Sequence, residues 1–107
     1  MFKKSEERDW IPLLTGVKYK TLTHGEKTSL SEFNFEKGAL VPAHKHPHEQ
    51  TGYVISGRLM ITIGSKRFEA GPGDSWNIAS NVEHSAEILE DTVLIEVFSP
   101  AREDYLP

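Results

Sequence analysis

No cysteine occurs among the 107 residues. That absence excludes disulfide staples, thiolate metal ligands and a cysteine nucleophile, and it leaves the redox compartment open. A run of about 18 apolar residues is missing as well, and the start, Met-Phe-Lys-Lys-Ser-Glu-Glu-Arg, lacks an apolar signal core. A cytoplasmic protein without a membrane partner is therefore expected. There is no basic tract: sixteen acidic against twelve basic residues give a net charge of −4, which argues against nucleic acid as a partner. No window keeps a helical period for about a dozen residues. At this length one domain, residues 1–107, is expected to bury roughly 65% of its unfolded surface.

What the chain does contain is short segments of strand composition between closely spaced turns. Arg58 to Ile63 alternates, with Leu59, Ile61 and Ile63 on one face and Met60 and Thr62 on the other. Gly64-Ser65 then suits a two-residue hairpin of the II′ type before Lys66 to Glu69. Val17 to Thr23, Ser29 to Phe35, Tyr53 to Ile55, Ser75 to Ile78, His84 to Leu89 and Thr92 to Phe98 read likewise. Many short strands at this spacing predict an antiparallel barrel or sandwich, in which closing the sheet removes exposed edges.

Three of the five histidines fall in the run His44-Lys45-His46-Pro47-His48-Glu49-Gln50. On an extended segment side chains repeat every two residues, so His44 and His46 point to one face and two imidazole nitrogens can share one ion. Pro47 removes a ladder donor and ends the strand, which places His48 on a loop aimed elsewhere. Gln50 becomes the third ligand through its amide oxygen. Glu49 competes for that role but has the opposite parity to His46. With no cysteine present, any ion must sit among nitrogen and oxygen ligands.

A second feature is the strand Thr92-Val93-Leu94-Ile95-Glu96-Val97-Phe98, apolar on both faces except at Glu96. Leu94, Glu96 and Phe98 share one side. A lone carboxylate there must find a partner, raise its pKa or face a wet cavity, unless the strand lies at an edge and exposes it.

These residues resemble a family. Gly38, five residues, His44-x-His46, three residues, Gln50, six residues and Gly57 reproduce the first cupin motif, with glutamine where glutamate is usual. Gly73 to His84 follows the second motif less closely: Ala79 stands for its proline, Asn81 for its glycine and Ile88 for its asparagine. Asparagine tolerates positive φ, so Asn81 can keep the turn. The resemblance implies an all-β fold with little helix, an antiparallel double-stranded β-helix (the cupin or jelly-roll barrel), with motifs at about 38–57 and 71–88. It also implies one divalent transition metal (nickel, zinc, manganese or iron) held by His44, His46, Gln50 and His84. A site with no carboxylate ligand is more cationic than the usual cupin centre and favours anionic ligands.

The tail Phe98-Ser99-Pro100-Ala101-Arg102-Glu103-Asp104-Tyr105-Leu106, together with His44 to Gly57, is similar to the pectin degradation cupins of the KdgF type. That resemblance implies conversion of unsaturated monouronates, released from pectin and alginate, to linear keto forms. Carried over by position, the family's acidic residue falls on Glu96, where aspartate is usual, its aromatic on Phe98 and its arginine on Arg102. Glu96 would move the proton and Arg102 would clamp the substrate carboxylate in a bidentate fork, unless it instead pairs at the surface with Glu103 or Asp104. Phe98, Tyr53 and Trp76 would wall a sugar ring. A homodimer is implied too, with Trp10-Ile11 at its interface. Cupin barrels also host iron-dependent oxygenases acting on small organic acids or phenols, and small-molecule binders without turnover, so the fold alone does not choose among them.

Overall fold

In a computed structural model, which describes residues 1–7 and 9–106, ten strands follow one another with no α-helix among the described residues. They are β1 (Ile11–Leu14), β2 (Val17–His24), β3 (Ser29–Phe35), β4 (Leu40–His44), β5 (Glu49–Ser56), β6 (Leu59–Ile63), β7 (Lys66–Ala70), β8 (Ser75–Ile78), β9 (His84–Ile88) and β10 (Thr92–Ser99). Single 3-10 turns occupy Ser5–Glu7 and Glu103–Tyr105. All pairing is antiparallel, in a six-stranded sheet ordered β1-β2-β3-β10-β5-β8 and a four-stranded sheet ordered β4-β9-β6-β7. The two sheets face each other as a jelly-roll barrel, the architecture the sequence pattern implies.

Side-chain alternation decides what lies between the sheets. In β3 and β10 every second residue is buried: Ser29, Ser31, Phe33 and Phe35 on one, Thr92, Leu94, Glu96 and Phe98 on the other. Leu59, Ile61 and Ile88 of the smaller sheet meet Val54, Ile78 and Leu94 of the larger one in the core. Burying side chains of this size, at about 1.5–3 kcal/mol each, is the main force holding the two sheets together. Glu96 is thus an inward member of a central strand, paired on both sides by β3 and β5. The edge alternative for that carboxylate is excluded.

Two differences from the sequence-based reading have physical causes. β1 was not anticipated, because Ile-Pro-Leu-Leu has no alternation to find, and all four of its residues are exposed. Proline is tolerated there because β1 is an edge strand, where a missing N–H breaks no ladder. The strand carrying His44 ends at that residue instead of running on to Pro47, so His46 sits on the following loop. The Gly64-Ser65 hairpin forms as expected, with Gly64 at φ +61° and Ile63 opposite Lys66.

Gly57, which closes the first motif, adopts φ +95°, and a methyl group on it would run into the Asp91 carbonyl and the Thr92 side chain. Strain and collision therefore add at one position. Gly57→Ala is expected to destabilise the protein by about 3 kcal/mol in urea unfolding, through forced positive φ plus displaced backbone. A loss under roughly 0.5 kcal/mol would contradict this geometry.

Candidate metal centre

Two sheets supply the centre. His44 ends β4 and lies directly opposite His84, which begins β9. A register shift between Val41 and His44 brings the two into line, and Pro42 is accommodated because β4 is an edge strand. His46 is held on its loop by the turn of the second motif, where Asn81 at φ 63° donates its backbone N–H to the His46 carbonyl at 2.8 Å. Asn81 thus keeps the turn as its conformational tolerance predicts. From the opposite sheet, Gln50 on β5 and Glu96 on β10 point inward.

The protonation of the three rings can be read from their partners. In each histidine Nδ1 lies 2.9 Å from a backbone carbonyl two residues away: Pro42 for His44, His48 for His46 and Val82 for His84. A carbonyl only accepts, so Nδ1 carries the hydrogen and Nε2 carries the lone pair. Ligand nitrogens of all three rings lie within 4.8 Å of one another. The Nε2 atoms of His46 and His84 are buried without a protein partner, and so is Oε1 of Gln50. Burial pushes the His84 imidazole down to about 4 and lowers His46 as well, with the positive charge of Arg102 adding to the effect. Both rings stay neutral at ordinary pH, as metal ligands must.

Three converging acceptors without a donor are costly inside a protein. A cation resolves the conflict, and three imidazoles with an amide oxygen suit a borderline first-row dication. The donor set therefore fits the metal implied by the motif spacing.

Gln50 joins the centre to the acid. Its amide N–H donates to Glu96 Oε2, which turns its own oxygen away from that carboxyl. Burial raises the Glu96 pKa to about 7, against the opposing pull of the Gln50 hydrogen bond and the Arg102 charge. A chamber of about 260 Å³ opens on this group, lined among others by His44, His84, Trp76, Phe98, Arg102 and Tyr105.

Other expected site residues fall differently. Tyr53 is 46% exposed on the outer face, because alternation along β5 gives the inner face to Gln50, Gly52 and Val54; it does not wall the chamber. Glu49, also outward, accepts from Asn77 Nδ2 at 3.0 Å, which removes it as a competing ligand. His48 is buried, with Nε2 3.5 Å from Glu103, and serves the centre only through the carbonyl that orients His46. Arg102 reaches the chamber, but its fork is already engaged. Nε donates to Asp104 Oδ1 at 2.9 Å and Nη2 to Oδ2 at 2.7 Å, while the guanidinium lies over the Phe98 and Tyr105 rings at 5.0 and 4.1 Å. A bidentate grip on substrate is thus taken up internally.

Tyr105 and Asp104 were not anticipated as site residues. Thr21 Oγ1 donates to the Tyr105 carbonyl at 2.6 Å, and Ser29 Oγ accepts from the Arg102 backbone N–H at 3.0 Å, so the tail is strapped back across β2 and β3.

An antiparallel double-sheet barrel with a histidine-rich mouth defines a class, and comparison agrees. The Cupin domain family matches residues 31–98, and the chain belongs to it. Within that family it is 34% identical over 103 residues, 94% of each chain, to the pectin degradation protein KdgF of Dickeya dadantii. The structure of KdgF from a Halomonas species superimposes with a TM-score of 0.92 at 30% identity, covering 99% of this chain and 98% of that one. An RmlC-like cupin from Shewanella frigidimarina gives 0.93 at 30% identity, covering 98% and 95%. Among the described residues no helix is long and apolar enough to cross a membrane.

Elemental analysis tests the ligand set. His44→Ala and His84→Ala are each expected to purify with well under one ion per chain, and stoichiometric metal in both would sink the four-ligand assignment. Chelation of the wild-type protein is expected to lower its melting temperature by on the order of 10 °C, since an ion held by His44, His46, His84 and Gln50 would bind only the folded state.

Proposed function

We propose that the chain is a metal-dependent cupin enzyme that converts unsaturated monouronates, the products of pectin and alginate breakdown, to their linear keto forms in the cytoplasm. The observation that carries this reading is the buried Glu96. Its pKa is raised to about 7, and it is hydrogen-bonded through Gln50 to the metal-ligand cluster inside a chamber with room for one sugar ring. The kinship to a pectin degradation protein supports the substrate class.

When bound at His44, His46, Gln50 and His84, the ion supplies a Lewis-acidic positive charge that draws the oxygens of an anionic uronate. The chain's own groups do the rest. Glu96, ionised, takes the proton from the anomeric hydroxyl; the bond from that carbon to the ring oxygen breaks and its electron pair stays on the oxygen, giving an aldehyde and an enolate. The same carboxyl then delivers the proton to the neighbouring unsaturated carbon, and the enolate becomes a ketone. One residue whose pKa lies near neutrality can perform both transfers. Arg102 keeps Nη1 free of Asp104, and its charge attracts the substrate carboxylate without a full fork. Phe98 and Trp76 provide apolar walls. The active unit is proposed to be a homodimer of this single-domain chain, with the exposed Ile11 of β1 and the neighbouring Trp10 at the interface.

Metal-loaded protein is expected to accelerate loss of the ultraviolet absorbance of unsaturated galacturonate or mannuronate; no acceleration with either would refute the reading. Glu96→Gln should lower turnover by about 10²-fold or more with metal content unchanged, the usual scale for a positioned acid-base group. Because Glu96 must start as the carboxylate and its pKa is raised, the wild-type rate should climb with pH through about 7. That limb should be absent from the residual activity of Glu96→Gln.

A further inference from the structure

Gly52 is flanked in register by Glu96 on β10 and by Trp76 on β8, so the three positions form one row across the inner face of the larger sheet. Any side chain at 52 would separate the two. A Cβ there would collide with the indole at Nε1, Cε2 and Cζ2, which means that the nitrogen-bearing edge of Trp76 lies flat over the Gly52 backbone and reaches toward Glu96. That indole N–H is buried, has no hydrogen-bond partner, and belongs to a residue lining the chamber. Buried donors are rarely left unpaired without a reason, and indole nitrogen can only donate.

We propose that the Trp76 N–H is the donor that receives the ring oxygen of the bound uronate and stabilises the negative charge this oxygen gains as the ring opens. The inference rests on the ketonisation reading and extends it to a group for which apolar packing alone gives no role. A ligand atom in the chamber between the indole edge and the carboxyl meets a fixed donor, Trp76, on one side and a proton acceptor, Glu96, on the other. The hemiacetal carbon of a sugar acid carries the matching pair, a hydroxyl that loses its proton and a ring oxygen that accepts electron density when its bond to that carbon breaks. In a water-poor chamber a preorganised donor favours the state in which that charge has developed over the ground state. Gly52 is then required so that the indole edge can approach.

Steady-state kinetics on unsaturated galacturonate with Trp76→Phe test this, since phenylalanine keeps an aromatic wall and removes only the donor and some bulk. The expected result is a fall in kcat of about 100-fold or more, the scale of losing one donor to developing charge, with KM within roughly twofold of wild type. Unchanged kcat, or a rise in KM alone, would overturn the proposal and leave the ketonisation reading standing. Wild-type protein inactive on the uronate would instead remove that reading, and this inference with it. Should Trp76→Phe lose its folded circular dichroism spectrum, Trp10→Phe leaves Trp76 as the sole tryptophan. Galacturonate should then shift its emission, and unshifted emission at a saturating galacturonate concentration, verified by calorimetry, would overturn the assignment.

Discussion

Three hydrogen bonds from imidazole Nδ1 to backbone carbonyls govern the open end of this barrel. Each carbonyl is fixed by its own strand or turn, so each ring has one tautomer and one direction, and the remaining lone pairs converge. The convergence comes from local geometry: a carbonyl two residues away is the nearest acceptor to a histidine at a strand end or tight loop. Burial then removes the alternative of solvation at His46, His84 and Gln50, leaving nitrogen and oxygen acceptors that a cation would satisfy. Backbone placement thus leaves a demand that a metal ion would meet.

Gln50 converts that demand into chemistry. Glutamate at this position would bring a negative charge beside Glu96, and two neighbouring carboxylates resist ionising together. The neutral amide offers its oxygen on one side and its N–H on the other, so it can serve an ion and a carboxyl at once. Arg102 adds positive charge that depresses the pKa values of His46, His84 and Glu96, yet Asp104 absorbs its fork and Phe98 and Tyr105 hold its face. The result is a carboxyl balanced near neutrality, with burial raising its pKa and the amide and the guanidinium lowering it.

Much of this was legible in the chain, for reasons that differ residue by residue. His44, His46, Gln50 and His84, which the fold brings together, stood out because metal chemistry needs those side chains at a spacing that repeats in few other contexts, and Glu96 because a charge in a two-faced apolar strand is rare. The parity argument grouped His44 and His46 by a partly wrong route, since His46 is placed by a loop that Asn81 clamps from another part of the chain. Long-range clamps of that kind leave no local pattern. Tyr53 was misplaced for the opposite reason: the alternation that points Gln50 inward also points Tyr53 outward, and aromatic character outweighed a parity already in hand. The pairing of Arg102 with Asp104 was one of the two roles the sequence offered it, but its place against the chamber depends on how the tail doubles back after Ser99.

β1 has a consequence for how ligands reach the chamber. It touches the sheet along one side only, all four of its residues are exposed, and yet Leu13 and Leu14 help to wall the cavity that holds Glu96. A terminal edge strand opens at lower free-energy cost than the core it covers. β1 is therefore a part of the wall that opens more readily than the core beneath it. The Thr15-Gly16 turn joins this wall segment to β2, so the lining beside it is held to the barrel through one neighbouring strand.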